Sequence, residues 1–275
     1  MKTLYVSDLD GTLLNRQSRL SAYTVETLNC LIGEGLPFTY ATARSVHSAR
    51  IVAAGLHTKL PVITYNGAFV QDAESGEVFS CVSFTREELA VLAGQLSRFP
   101  VSALTYALED GAERVRWLPE RENEGVQYYL DSRKGDERFR AADTEQSLYR
   151  GEGFYITCIG RQEELSPLYE AVRGDARFFV TLQQELYRAE YWLEIMPAEA
   201  TKAHGIRKLC ALRGYDRVVS FGDAVNDLRM FDASDECYAV ENAVPELKAA
   251  ATGVIQSNEA DGVAKWLEEN WERRD

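Results

Sequence analysis

Leu4-Tyr5-Val6 is a short apolar run that stops at Ser7-Asp8, and a run bounded in this way reads as a buried strand. Ser21 then precedes Val25, Leu28, Leu31 and Ile32, apolar positions at helical spacing, with Gly33 and Gly35 as stop signals. Phe38 to Ala41 is a second strand closing at Thr42. Ser45 opens a second helix toward Gly55, and Pro61 to Tyr65 is a third strand before the turn pair Asn66-Gly67. Strand and helix in alternation predict a parallel sheet covered by helices.

The pattern changes near residue 84. Thr85 and Glu88 make a capping-box signature ahead of Leu89, Leu92, Ala93 and Leu96. Ser102 to Leu108 and Arg114 to Leu118, joined through Asp110-Gly111, predict a hairpin. Residues 131–153 are polar and carry no assignable period. Phe154 to Ile159, a helix near Glu163 to Val172, and Phe178 to Leu182 complete a mixed segment. Alternation is expected to resume at Trp192 to Ile195, then a helix from Lys202 to Leu212, a strand Val218 to Phe221 and a helix from about Asp227. A strand Tyr238 to Val240 and helices around Pro245 to Ala251 and Val263 to Asn270 follow. The expected fold is α/β: residues 1–83 and 190–275 build a parallel-sheet core, and 84–189 form an inserted α+β domain with an antiparallel sheet.

Charge narrows the function classes. The 275 residues carry a formal net charge of −13, which disfavours nucleic acid and anionic membranes as partners. An anionic substrate then needs a local positive site, and a metal ion supplies one. The five cysteines are widely spaced with no C-x-x-C pair, which argues against a disulfide framework or structural zinc. The absence of an apolar leader or a long apolar run makes the cytoplasm the expected location.

Two acidic segments carry the candidate chemistry. Asp8-Leu9-Asp10-Gly11-Thr12 follows the first strand, and Gly222-Asp223-Ala224-Val225-Asn226-Asp227 follows the strand Val218 to Phe221. In open α/β sheets ligands bind beyond the carboxyl ends of the strands, so Asp8, Asp10, Asp223 and Asp227 should converge there. Several carboxylates at one edge repel and raise one another's pKa values. A divalent cation with oxygen ligands, Mg²⁺ above all, removes that problem. Gly11 permits a tight turn and offers an N–H to an anion. Thr42 and the N–H of Ala43 stand where a helix begins, a place suited to phosphate oxygens, and Lys202 is a candidate point charge.

In this order, Ser7-Asp8-Leu9-Asp10-Gly11-Thr12-Leu13-Leu14, Ala41-Thr42-Ala43-Arg44, Lys202, and Gly222-Asp223 through Asn226-Asp227 resemble the haloacid dehalogenase superfamily. More narrowly, the chain is similar to the Cof-type phosphatases with a large α/β cap. Tyr65-Asn66-Gly67-Ala68 and Asp261-Gly262-Val263-Ala264 also look like that family. The resemblance departs at Ala43, where the family often has glycine, and after Lys202, where Ala203-His204-Gly205 replaces an immediate glycine.

The resemblance implies a Rossmann-like core and a Mg²⁺-dependent phosphatase working through an aspartyl-phosphate. Asp8 would be the nucleophile and Asp10 the acid and base. Asp8, the carbonyl of Asp10, and Asp223 would hold Mg²⁺, supported by Asp227. Gly11, Thr42, Ala43, Lys202 and Asn226 would bind phosphate, with Asn226 alternatively orienting Lys202; Arg44 is a weaker candidate. The dehalogenase branch generally lacks the second aspartate, so Asp10 favours an oxygen leaving group. Small phosphorylated metabolites, sugar phosphates first, are the implied substrates; a phosphomutase and a metabolite-binding regulator are the alternatives. Trp117, Tyr128, Tyr129 and Tyr155 are candidate substrate-facing aromatics, although core packing explains each as well. His47, His57 and His204 lack metal-ligand spacing.

Overall fold

A computed structural model of the chain describes residues 2–184 and 189–271. Its strands are β1 (Thr3–Ser7), β2 (Phe38–Tyr40), β3 (Val62–Thr64), β4 (Phe69–Gln71), β5 (Val78–Cys81), β6 (Ala103–Glu109) and β7 (Ala112–Trp117). They continue as β8 (Phe139–Ala141), β9 (Glu152–Gly160), β10 (Phe178–Gln184), β11 (Tyr191–Pro197), β12 (Arg217–Gly222), β13 (Glu236–Val240) and β14 (Gly253–Ile255).

Two compact units divide the chain, one of residues 1–81 and 200–275, the other of residues 82–199. In the first, five parallel strands run in the order β14-β13-β12-β1-β2. Leu4, Val6, Phe38, Phe221, Ala239 and Val240 are buried in this sheet, as expected of parallel strands covered on both faces. Leu28, Ile32, Ile206, Leu209, Val263 and Leu267 from the covering helices complete one core. Ser21 caps the helix Ala22–Glu34 through the Thr24 N–H. That helix passes through Gly33 and stops at Gly35. The third predicted strand, β3, pairs antiparallel with β4 in a separate three-stranded sheet, and the parallel bridge Ala41–Ile63 and the Thr39 hydroxyl donating to the Pro61 carbonyl tie it toward the main one.

The second unit holds a six-stranded sheet in the order β10-β11-β9-β6-β7-β8. The expected hairpin is β6–β7, with positive φ at Asp110 and Gly111 in its turn. The unassigned stretch supplies the short strand β8, parallel to β7. Leu92 and Leu96 of one helix and Leu165 and Leu168 of another cover Ile156, Cys158, Leu193 and Ile195.

Trp192 does not begin the expected return to the core. β11 pairs antiparallel with both β10 and β9, with Glu194 opposite Thr181 and Thr157. Leu193 and Ile195 are buried while Trp192 and Glu194 are only partly so, the period-two pattern of an antiparallel sheet rather than a doubly covered strand. The chain therefore returns to the first unit at Ala200, not at 190, and leaves it after Cys81, not 83.

Candidate functional site

β1 lies between β12 and β2, so connections depart from it in both directions along the sheet. Ser7 is level with Phe221 and with Tyr40, so Asp8, Asp223 and Thr42 all leave the sheet near one height. This is the crevice position where α/β sheets bind ligands.

Asp8 is fixed by its N–H, which donates to the Phe221 carbonyl at 2.9 Å. The segment Leu9–Leu13 then forms a wide turn closed by Leu14 N–H to Leu9 C=O at 2.8 Å, anchored by the buried Leu9, Leu13 and Leu14. Gly11 adopts φ +76°, and a Cβ there would lie 2.2 Å from Asp223 Oδ2. The residue thus has both the wrong hand and no room for a side chain. Thr12 donates its hydroxyl to Asp223 Oδ1 at 2.9 Å, and Asn242 donates to the Gly11 carbonyl at 2.7 Å.

A single buried ammonium joins two of the acids. Lys202, at the start of the helix Lys202–Arg213, places Nζ 2.7 Å from Asp8 Oδ1 and 2.7 Å from Asp227 Oδ1. Its side chain is 1% exposed. The other oxygen of Asp227 accepts the N–H groups of Asp223 and Ala224 at 3.0 and 3.1 Å. Asp227 therefore has both oxygens engaged in holding the lysine and the loop. Carboxylate oxygens of Asp8, Asp223 and Asp227 nonetheless lie within 4.8 Å of one another.

Burial, reinforced by the neighbouring carboxylates Asp227 and Asp223, pushes Asp8 up to about 8 against the pull of Lys202. Burial also pushes Asp223 up to about 6. For Lys202, burial opposes the charge but Asp8 and Asp227 outweigh it, and its pKa stands above the ordinary lysine value. Three carboxylates against one ammonium leave two negative charges if all are ionised. Hard oxygen donors at this spacing and this charge deficit fit a divalent cation.

Asp10 turns away from this cluster. Its oxygens accept Arg44 Nη2 and Nε at 2.6 and 2.7 Å, while Arg44 Nη1 donates to Ser48 Oγ at 3.0 Å. The paired fork is the strong form of a carboxylate contact. Arg44, a weak candidate in the sequence, thus becomes the direct partner of Asp10.

Thr42 is buried, and its Oγ accepts the Arg44 N–H at 3.1 Å while its own N–H goes to Ile63. Ala43 is exposed and is not among the residues with positive φ, so alanine fits there without strain. The amide of Asn226 donates to Asn66 Oδ1 at 3.5 Å rather than reaching Lys202, which Asp8 and Asp227 orient instead. Asp261 accepts the Thr24 hydroxyl at 2.9 Å and so fastens two helices together.

Sequence reasoning missed Asn242, which no pattern marks. Thr12 and Asn66 stand out in the sequence only as parts of motifs. Among the aromatics, Tyr129 packs edge-on to Trp192 and shares a hydrogen bond with Tyr106, Trp117 donates to Glu122, and Tyr155 donates to Glu194. Tyr128 is exposed. His47 and His57 are exposed as well. All five cysteines are free, and no helix among the described residues is long and apolar enough to cross a membrane.

A family model described as haloacid dehalogenase-like hydrolase matches residues 5–267. Two 5-amino-6-(5-phospho-D-ribitylamino)uracil phosphatases of Bacillus subtilis are 25% and 24% identical, over 95% and 97% of this chain and 96% of each relative. An X-ray structure from Thermotoga maritima superimposes with a TM-score of 0.79 at 26% identity, covering 99% of this chain and 98% of that one.

Proposed function

We propose, from the premise that this chain belongs to the haloacid dehalogenase-like hydrolases and is a phosphatase of that family, that it hydrolyses small phosphate monoesters through a covalent intermediate on Asp8. The observation that carries this reading is the pairing of Asp8 with the buried Lys202 beside Asp223, at the carboxyl edge of the parallel sheet.

Asp8 attacks phosphorus, forming an Asp8 Oδ–P bond as the ester P–O bond breaks. Asp10 gives a proton to the departing alkoxide, so that the alcohol leaves neutral. Water then attacks the aspartyl-phosphate and loses its proton to Asp10. Inorganic phosphate departs, and both carboxyl groups return to their starting states. Lys202 fixes the attacking oxygen and balances phosphoryl charge, as do the Thr42 hydroxyl and the N–H groups of Gly11 and Ala43. Asn226 lies at the rim of this phosphate site. Arg44 holds Asp10 in place through both carboxylate oxygens, and one of these two hydrogen bonds opens when Asp10 takes up the proton that it gives to the leaving group. Asp8, Asp223 and the Asp10 carbonyl would hold Mg²⁺, with Asp227 in support, and bound Mg²⁺ would neutralise phosphoryl charge as a Lewis acid.

The inserted unit, residues 82–199, selects the substrate. A phosphorylated sugar or sugar alcohol is the favoured class. Support comes from the two relatives, whose names specify a phosphate on a ribityl chain.

Phosphate release from p-nitrophenyl phosphate and a panel of sugar phosphates and nucleotides tests this, with Mg²⁺, with chelator, and in Asp8→Asn. Release that needs Mg²⁺ and vanishes in Asp8→Asn is expected. Activity surviving in Asp8→Asn would overturn the nucleophile assignment. An isomeric phosphate formed without free phosphate would identify a mutase.

A further inference from the structure

Among the described residues, the turn after β3 is the one place where three successive residues take positive φ, and the mechanism above gives it no role. Tyr65, Asn66 and Gly67 take φ of +49°, +53° and +102° in succession. Asparagine and glycine tolerate this region, but a bulky aromatic there is an outlier. Such conformations persist only where surrounding structure over-determines them, and they cluster at functional sites.

The surroundings here are the elements that carry the phosphate site. Tyr65 N–H donates to the Arg44 carbonyl at 3.0 Å, and Asn66 N–H donates to the Thr42 carbonyl at 2.9 Å. The turn therefore grips both ends of Thr42-Ala43-Arg44. Its other side lies against the beginning of the lysine helix. A Cβ on Gly67 would fall 1.9 Å from the Thr201 carbonyl oxygen and 2.9 Å from the Lys202 nitrogen. One helical turn on, a Cβ on Gly205 would meet Ile63 at 2.5 Å and the Gly67 Cα at 3.3 Å. The Asn66 side chain extends the contact to a third loop by accepting from Asn226. The Tyr65 ring is buried and packs near Phe69 at 5.8 Å.

We infer that Tyr65-Asn66-Gly67 is a positioning element that sets the spacing between Thr42 and Lys202, with Asn66 tying Asn226 into the same frame. The left-handed run is what lets one short turn present two N–H groups to one loop and a bare Cα to the other. It acts through the phosphate-binding groups and does not touch the reacting atoms. This inference rests on the phosphatase reading above, and requires that the wild-type protein release phosphate from p-nitrophenyl phosphate.

The test measures steady-state kinetics on that ester, the Ki of orthovanadate, and the thermal midpoint, all with Mg²⁺. Gly67→Ala should lower kcat by about a hundredfold and weaken vanadate by at least about tenfold, beyond any loss of midpoint. Should it fail to fold, Asn66→Gly and Asn66→Ala decide the matter. Asn66→Gly keeps the backbone conformation and removes only the amide. It should cost about three- to tenfold in kcat/KM, and weaken vanadate, with the midpoint unchanged or higher. Asn66→Ala adds strain and should lose more of both. Folded Asn66 variants whose vanadate Ki and kcat/KM stay within about twofold of wild type would overturn the inference, because a merely structural turn would move the midpoint alone. A wild-type protein that releases no phosphate would instead remove the reading on which it rests.

Discussion

Lys202→Met asks what the central ammonium does in the absence of metal. Methionine matches the length of the lysine stem but removes the charge that lies 2.7 Å from both Asp8 and Asp227. Removing one member of a buried ion pair costs about 3–5 kcal/mol, because the partner charge is left uncompensated. At neutral pH Asp8, pushed up to about 8, largely holds a proton, so the uncompensated charge falls on Asp227. Both carboxyl groups are nearly inaccessible, at 7% and 0% side-chain exposure, so water cannot replace the ammonium. A loss of about 3–5 kcal/mol is about a fifth or more of the stability of an ordinary domain. Urea unfolding in chelator at neutral pH measures it, and hydrogen exchange of the β1 and β12 amides assigns the loss to the first unit. Saturating Mg²⁺ should restore part of it, about 2.7 kcal/mol at a hundred times the dissociation constant. Adding Asp227→Asn to Lys202→Met should cost less than the two single changes summed, with a coupling of about 1–3 kcal/mol. A chelated Lys202→Met protein within about 0.5 kcal/mol of wild type would refute the reasoning, because the buried carboxylates would then not depend on the lysine.

Further outcomes follow from the same geometry. Gly11→Ala should abolish phosphate release and weaken Mg²⁺ binding by calorimetry, since its Cβ would occupy the space of the Asp223 carboxylate. Arg44→Gln should slow alkyl phosphates, which need a proton from Asp10, by about a hundredfold. It should leave p-nitrophenyl phosphate, with its good leaving group, within several-fold in single-turnover assays; equal losses on both would refute the positioning role. In chelator, Asp8 and Asp223 have folded pKa values of about 8 and about 6 against an ordinary 3.8. The folded state therefore binds more protons than the unfolded one across this range. Their contribution to stability is present below about 3.8 and is lost as pH rises toward about 8. Mg²⁺ should flatten that slope in urea titrations, and an unchanged slope would place the metal elsewhere.

The acid segments were legible because an apolar strand followed by closely spaced aspartates is a local signal. The register that sets Ser7 level with Phe221 is not local, yet it follows once both strands are assigned to one parallel sheet. What the sequence could not give was side-chain direction. Asp8 and Asp10 are two residues apart, and an extended chain would send them to the same side. The wide turn through Leu9–Leu13 sends one to Lys202 and the other to Arg44. The second boundary failed for a different reason. Tyr191-Trp192-Leu193-Glu194-Ile195 looks apolar as a block, and only its alternation, weakened by the tryptophan, distinguishes an antiparallel strand from a core one. β14 leaves no signal in the sequence, because three residues carry no period.

The insertion has a consequence for biosynthesis. The segment 82–199 is contiguous, so its six strands can find one another while the ribosome is still at work. β1 has no such freedom, because its partner β12 begins at Arg217. At roughly 5–20 residues per second, on the order of 10–40 s pass between the synthesis of the two strands. Throughout that interval Asp8 sits on a strand lacking one neighbour, without the lysine that later holds it. The molecule acquires its charge-dense centre only after nearly everything else has been made.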